Sequence, residues 1–348
     1  MKSFSKKLLE WYNPTTRNLP WKQTSDAYKI WLSEIILQQT RVEQGTPYYL
    51  AFIKQYPTVK KLATAPLDDV LKLWEGLGYY SRARNLHFAA KQVMESHNGK
   101  FPETHAEIIA LKGIGNYTAA AISSFAYNLP HAVVDGNVYR VLSRVFGIET
   151  PIDSTEGKKQ FEQLAEQLLD NNNPATHNQA IMDFGALICK PQNPLCVQCP
   201  FSSECKALEW NKISLLPIKS KKLIKTERHF HYFVVYDDKD IYIKQRTEDD
   251  IWKGLFEFPV EVADGQWSVD NSLILKKIDH RLLTIDHHLT YKQTLTHQFI
   301  NAHFYEIRFE KIPLLDKFYL KISKKDILKY AFPKIVRIYL EDRLIYLT

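Results

Sequence analysis

Every cysteine of this 348-residue chain lies in one short stretch, spaced Cys189-x6-Cys196-x2-Cys199-x5-Cys205. An isolated cysteine behaves as a small hydrophobe. Four on one loop, with none elsewhere, read as four thiolates around one metal centre. Pro191, Pro194 and Pro200 favour a fixed, non-helical path for that loop. A disulfide pair is the plain alternative, and zinc is another. Zinc sites usually set two C-x2-C pairs further apart, whereas only one such pair occurs here. The compact set of four favours an iron–sulfur cube. Its simplest duty would be to pin the loop that presents Lys206 and Lys212.

Two carboxylates sit where acid–base chemistry is possible. Ile30-Trp-Leu-Ser-Glu-Ile-Ile-Leu-Gln-Gln-Thr40 embeds Glu34 in an apolar run, one helical turn from Trp31 and Gln38. Carboxylates are seldom buried without a partner or a function. Desolvation raises their pKa toward that of a general acid working near neutrality. An exposed glutamate on a polar face is the alternative. In Val133-Val-Asp-Gly-Asn137, Asp135 either caps a helix or presents a carboxylate aimed by the amide of Asn137. Between these two, Leu111-Lys-Gly-Ile-Gly-Asn-Tyr-Thr118 follows one helix and opens another. Its two glycines expose backbone N–H groups at a helix N-terminus, an arrangement suited to a phosphate. An ordinary interhelical turn is the alternative there.

These residues need a scaffold. Residues 1 to about 212 read as helices, with Ala27–Gln39, Leu67–Trp74, Glu107–Leu111 and Phe161–Leu169 showing helical periodicity. Pro66, Pro102, Pro130, Pro151 and Pro174 punctuate the intervals. A basic stretch, Lys219–Arg228, reads as an interdomain linker. Beyond it, His229–Tyr236 and Ile241–Arg246 alternate as a hairpin around the Asp237–Asp240 turn, and His303–Phe309 alternates again. Ile327–Leu344 is expected to be a helix. His287, His288, His297 and His303 show no metal-ligand spacing and read as strand or surface residues.

Hydrophobic residues make up 45% of the chain, enough for a sizeable core. The net charge of +7 and pI of about 8.9 permit a polyanionic partner. No apolar run approaches a membrane span, so no membrane partner is expected. The first residues meet Glu10 and Asn13 too soon for a signal-peptide core, so a reducing, cytoplasmic setting is expected.

The 111–120 run resembles the helix–hairpin–helix of DNA-repair glycosylases. Together with Trp31–Arg41, Gly76–Arg84, Val134–Val138 and the cysteine loop, in that order, the chain resembles the adenine DNA glycosylases of the MutY family, which remove adenine mispaired with 8-oxoguanine. Trp252-Lys-Gly-Leu-Phe-Glu-Phe-Pro259 resembles that family's Nudix-like domain. No Nudix hydrolase box follows it, which implies a recognition module. The implied architecture is multi-domain. A mainly α helix–hairpin–helix glycosylase domain over 1–212 would carry a [4Fe-4S] cluster, with a six-helix lobe at about 25–131 and a cluster-bearing lobe of 1–24 plus 132–212. A basic linker over 213–228 and an α+β Nudix-like domain over 229–348 would follow.

The resemblance also implies roles. Glu34 matches the acid that protonates adenine at N7, and Asp135 the aspartate that stabilises the sugar cation. Tyr117 matches the tyrosine beside that sugar, and Asn137 the residue that orients the aspartate. Arg17, Leu19 and Trp21 match positions lining the adenine pocket with Glu34. Gln39 and Tyr79 match wedges around the mispair. Thr40, Leu77, Gly78, Tyr80 and Arg82 accompany them, and Lys112, Gly113, Gly115 and Thr118 are implied at the DNA backbone. Cys189, Cys196, Cys199 and Cys205 would ligate the cluster. The family's F-S-H, whose serine bonds the oxidised guanine, is matched here by Phe299-Ile300-Asn301, which lacks that hydroxyl.

The expected partner is double-stranded DNA with adenine opposite 8-oxoguanine or guanine, bound by a monomer. The alternative is the sister family, the endonuclease III-like glycosylases of oxidised pyrimidines. These carry a Schiff-base lysine where Tyr117 stands, and tyrosine cannot do that chemistry. A catalytically inactive mismatch-binding protein is a further alternative, against which both Glu34 and Asp135 count.

Overall fold

A computed structural model describes residues 2–220, 224–263, 272–274 and 285–347. Part of the linker, 221–223, lies outside the described residues. By its contacts the chain forms two units, Met1–Thr64 with Asn85–Lys222, and Ala65–Arg84 with Leu223–Thr348. Among the described residues no helix is long and apolar enough to cross a membrane.

The first unit is helical. Its Ala27–Leu37 helix begins where Asp26 Oδ1 accepts from the Tyr28 N–H at 2.9 Å. Apolar side chains surround this helix, so it has no broad solvent face, and Trp31, Leu32 and Ile36 are wholly buried. It packs against the Asn116–Tyr127 helix. The Gly136–Phe146 helix is capped by Asp135 and stops at Gly147, whose φ of 68° is the left-handed C-terminal stop that glycine favours. It packs against Pro174–Leu187 around Val138, Leu142, Phe161 and Phe184.

Among the described residues the second unit contains a seven-stranded sheet: β1 (Thr226–Tyr236), β2 (Asp240–Gln245), β3 (Phe256–Glu257), β4 (Val260–Ala263), β5 (Ile285–Thr294), β6 (Gln298–Arg308) and β7 (Leu320–Ser323). The order is β3-β2-β1-β6-β5, with β4 on β1 and β7 on β2. β1 and β2 pair antiparallel, as their sequence suggests. The long parallel pairing of β1 with β6 joins segments far apart in sequence, and no local pattern announces it. Phe304 stacks on Tyr339 at 4.1 Å, and Phe258 meets Tyr339 edge-on. His231, His288 and His303 stack with one another and with Tyr305 across β1, β5 and β6.

The C-terminal helix differs from the sequence expectation. Residues Lys324–Lys329 form a 3-10 turn, and the α-helix runs only over Lys334–Leu347. Proline disfavours a helical residue before it. That residue is Phe332, and the α-helix starts just after Pro333; Tyr330, which ends the 3-10 turn, is itself extended (φ −90°, ψ 148°).

The segment Ala65–Arg84 is held in the second unit by polar contacts. Lys72 Nζ donates to the Tyr330 carbonyl at 2.9 Å, and Glu75 Oε1 accepts from the Phe332 N–H at 2.8 Å. Arg84 donates to the Lys253 carbonyl at 2.6 Å. The sequence boundaries had placed this segment in the first domain.

Candidate active site

Glu34 lies on a helix buried on nearly all sides and is only 7% exposed. Its Oε2 accepts a hydrogen bond from the Tyr117 hydroxyl at 2.8 Å. Burial pushes the Glu34 carboxyl up to about 7; the Tyr117 hydrogen bond opposes the shift and the negative charge of Asp135 adds to it. Burial, together with Glu34, also raises the Tyr117 phenol well above its ordinary value, so it stays a donor.

Asp135 both caps its helix and presents a carboxylate. Its Oδ1 accepts from the N–H groups of Asn137 and Val138, each at 2.8 Å, and its Oδ2 accepts from Asn137 Nδ2 at 2.7 Å. Burial raises its pKa, while these donors and Arg140 pull it down. Arg140 in turn fixes the Asn137 amide, donating to its Oδ1 at 2.8 Å and to the Gly185 carbonyl at 2.7 Å. Gly185 is required there, because a Cβ would lie 2.6 Å from that of Asn137. The two alternatives weighed for Asp135 are thus one arrangement.

Glu34, Tyr117, Asp135 and Asn137 line a single cavity of about 1030 Å³. Arg17, Leu19 and Trp21 line it too. Sequence reasoning missed Tyr12, Lys22 and Gln179 on its wall, and Asp183 behind it. Asp183 lies in Ile181-Met-Asp-Phe184, a lone acid in an apolar helix. That is the signal that had singled out Glu34.

The helix–hairpin–helix turn has the expected geometry. Gly113 has φ +81°, and a Cβ there would lie 2.7 Å from Asn85 Cβ. Gly115 caps the next helix without a side-chain acceptor and faces open space. Lys112 is exposed beside it. Thr118 is buried and accepts from Gln38 Nε2, so its side chain serves the interior.

Gln39 is exposed with φ 55°, a left-handed backbone that ordinary side chains avoid; Thr40 follows, half-buried. In the second unit Tyr79, at φ 48°, shares that conformation and stands 42% exposed. Gly76 and Gly78 bend the chain on either side of Leu77, which is buried. Tyr80 is buried, its hydroxyl accepting from the Gly76 N–H at 3.1 Å. Arg82 lies over the Trp74 and Tyr79 rings and donates to the Gly78 carbonyl at 3.2 Å. Leu77, Tyr80 and Arg82 therefore build the loop, and Tyr79 is what it projects.

The structure distributes the three β6 residues unevenly. Ile300 is wholly buried, and Asn301 is buried with its amide donated to Glu227 at 2.7 Å. Phe299 remains exposed under Lys225. The hydroxyl that meets Tyr79 is instead Thr296, in the turn between β5 and β6, and the two oxygens are hydrogen-bonded. A lone threonine in a hairpin turn gives no sequence signal.

The four cysteines line one cavity, walled by Val145, Phe184 and Leu195. Arg144, buried, places Nη1 3.6 Å from Cys189 Sγ and donates to the Lys190 carbonyl at 2.7 Å. Burial raises the thiols of Cys189, Cys199 and Cys205, Cys199 to about 11, so thiolates here call for a cation. Four sulfurs, apolar walls and a guanidinium fit an anionic thiolate-ligated cluster. Among the described residues no three His, Cys, Asp or Glu side chains converge on a single-ion site.

Residues 32–170 match the HhH-GPD superfamily of base excision DNA repair proteins, and 231–342 match the NUDIX domain. The chain is 40% identical over 285 residues to the adenine DNA glycosylase of Buchnera aphidicola subsp. Baizongia pistaciae, covering 79% of this chain and 80% of that one. It is 45% identical over 215 residues to the adenine DNA glycosylase of Homo sapiens, covering 59% and 39%. Among solved structures, a thermostable thymine-DNA glycosylase superposes with a TM-score of 0.56 at 31% identity, covering 60% of this chain and 96% of that one. Endonuclease III in a trapped covalent complex with DNA gives 0.53 at 19% identity, covering 61% and 98%, a likeness of fold. The fold is therefore that of the helix–hairpin–helix glycosylases of base-excision repair. Within that class the chain belongs to the adenine DNA glycosylases, the MutY family.

Proposed function

We propose that this protein is a monofunctional glycosylase that hydrolyses the N-glycosidic bond of adenine opposite 8-oxoguanine or guanine in duplex DNA. The observation that carries the reading is the pairing of Glu34, held near its neutral point, with Asp135 on the wall of one cavity. The base must leave the stack to reach them. Glu34 gives its proton to adenine N7, because the neutral base is a poor leaving group. The C1′–N9 bond breaks with its electron pair going to adenine. Asp135, anionic under three N–H donors, faces the cationic sugar. Water then bonds to C1′ and returns a proton to the Glu34 carboxylate. Tyr117 keeps Glu34 in place and, being no amine, forms no Schiff base.

Cys189, Cys196, Cys199 and Cys205 would hold a [4Fe-4S] cluster, which when bound supplies a fixed, compact anchor for their loop. Gln39 and Tyr79 are proposed as wedges in the stack, with Gly113, Gly115 and Lys112 at a phosphate. The protein is proposed to act as a monomer in a bacterial cytoplasm.

Recognition of the oxidised guanine is assigned to Tyr79 and Thr296, with Phe299 beside them, and no side-chain contact is assigned to Ile300 or Asn301. Thr296→Val is expected to lower the rate ratio of 8-oxoguanine·adenine over guanine·adenine substrates by about fivefold to tenfold, the worth of one hydrogen bond. An unchanged ratio would remove the Thr296 hydroxyl from recognition. The reading as a whole is tested by single-turnover reaction with a short duplex bearing 8-oxoguanine opposite adenine. Free adenine should appear, and borohydride should trap little enzyme on DNA. No adenine from cluster-replete protein would turn attention to oxidised pyrimidines.

A further inference from the structure

Asp183 is 1% exposed, yet it touches three side chains of the cavity wall. Its Oδ1 accepts from Arg17 Nη1 at 3.1 Å and from Gln179 Nε2 at 3.2 Å. Its Oδ2 accepts from Lys22 Nζ at 2.5 Å. Arg17, Lys22 and Gln179 all line the cavity, and Asp183 stands behind them. Buried acids are expensive unless ion-paired, and this one is paired with two cations. Those two pairs alone would explain its stability. The third contact needs a separate explanation.

An amide has one donating end and one accepting end. Which end faces a ligand follows from the group that holds the other. A carboxylate accepts only, so beside Asp183 the Gln179 amide must turn its nitrogen inward. That leaves the Gln179 oxygen as the end it can offer to the cavity. Arg17 and Lys22 on the same carboxylate keep it from rotating.

We infer that Asp183 is a positioning residue for base selection: by fixing the polarity of the Gln179 amide, it makes the cavity wall an acceptor for the exocyclic amine of a six-aminopurine. Rejection follows from the same geometry. A base with a carbonyl oxygen at that position would set oxygen against oxygen. A site built around one polar contact discriminates strongly, because the wrong base leaves it unpaired. The inference rests on the adenine reading above.

The test uses full-length, cluster-replete protein and three duplexes that differ only in the target base: adenine, purine without a six-substituent, and hypoxanthine. Single-turnover rates are compared for wild type, Asp183→Asn, Gln179→Leu and the double variant. Asparagine at 183 can donate to the Gln179 oxygen, so the amide is free to turn. The expected result is a fall of about tenfold or more in the adenine-to-hypoxanthine rate ratio for Asp183→Asn. Gln179→Leu should compress the ratio similarly, and adding Asp183→Asn to it should change the ratio no further. A merely structural aspartate would lower all three rates by one factor and leave the ratio intact, and that outcome overturns the inference. So does full discrimination by Gln179→Leu, which stands even where Asp183→Asn folds poorly. Wild-type protein that releases none of the bases overturns the adenine reading instead.

Discussion

Replacing Glu34 with glutamine is expected to lower single-turnover release of adenine by three or more orders of magnitude, the upper range for a lost general acid, and to make the protein more stable at alkaline pH. Glutamine keeps the shape and can still accept from the Tyr117 hydroxyl, so the cavity should persist. What disappears is the proton. In wild type the rate should decline as pH rises above about 7, where Glu34 loses it. The stability effect has the opposite sense. The folded-state pKa of about 7 lies above the ordinary glutamate value of 4.5. Between those values the unfolded chain has released the proton and the folded chain still holds it, so this group's contribution to stability falls as pH rises through the window. A shift of that size corresponds to roughly 3 kcal/mol above pH 7. Thermal unfolding of Glu34→Gln against wild type should therefore show a gap favouring the variant at pH 8 and closing toward pH 5. Equal stability at both pH values would mean that Glu34 is not desolvated in the folded protein.

Asp135→Asn and Asp135→Ala are expected to be about equally inactive and unequally stable. Both remove the negative charge facing the sugar, and both should lower adenine release by about three orders of magnitude or more, in the range of lost preorganised electrostatic groups. Asparagine is nevertheless a good N-cap and can still accept from the N–H groups of Asn137 and Val138. Alanine cannot, and should cost about 1–2 kcal/mol more in folding. Rates and melting curves on the pair thus separate the charge from the cap. An active Asp135→Asn would remove the aspartate from the chemistry and leave it a helix cap.

The sequence made this chemistry legible because its rules are local. Glu34 stood out as an acid in an apolar helix, Asp135 as an acid before a glycine, and the cysteines by their isolation. Asp183 met the first of these criteria and was passed over, since its partners Arg17 and Lys22 lie far away in the chain. Thr296 gave no sign, because its meaning comes from Tyr79, which only folding brings to it. The same holds for β1 and β6, whose parallel register joins Thr226 to Gln298 through Tyr236 to Arg308. Pro333 was legible and was given too little weight. The expected helix over Ile327–Leu344 includes it, whereas it lies just outside the observed one.

The grouping of Ala65–Arg84 with the C-terminal residues bears on how this protein is made and cut. Val70, Leu71 and Trp74 leave the ribosome early, yet Tyr330, Phe332 and Lys253, which their segment meets through Lys72, Glu75 and Arg84, are synthesised much later. The second unit is therefore discontinuous, and the nascent chain must carry an unfinished apolar stretch while Asn85–Lys222 emerges. A fragment ending near residue 220 would keep that stretch and lose the Tyr330, Phe332 and Lys253 backbone groups that tie it down. Its solubility, rather than its chemistry, is where such a truncation should first fail.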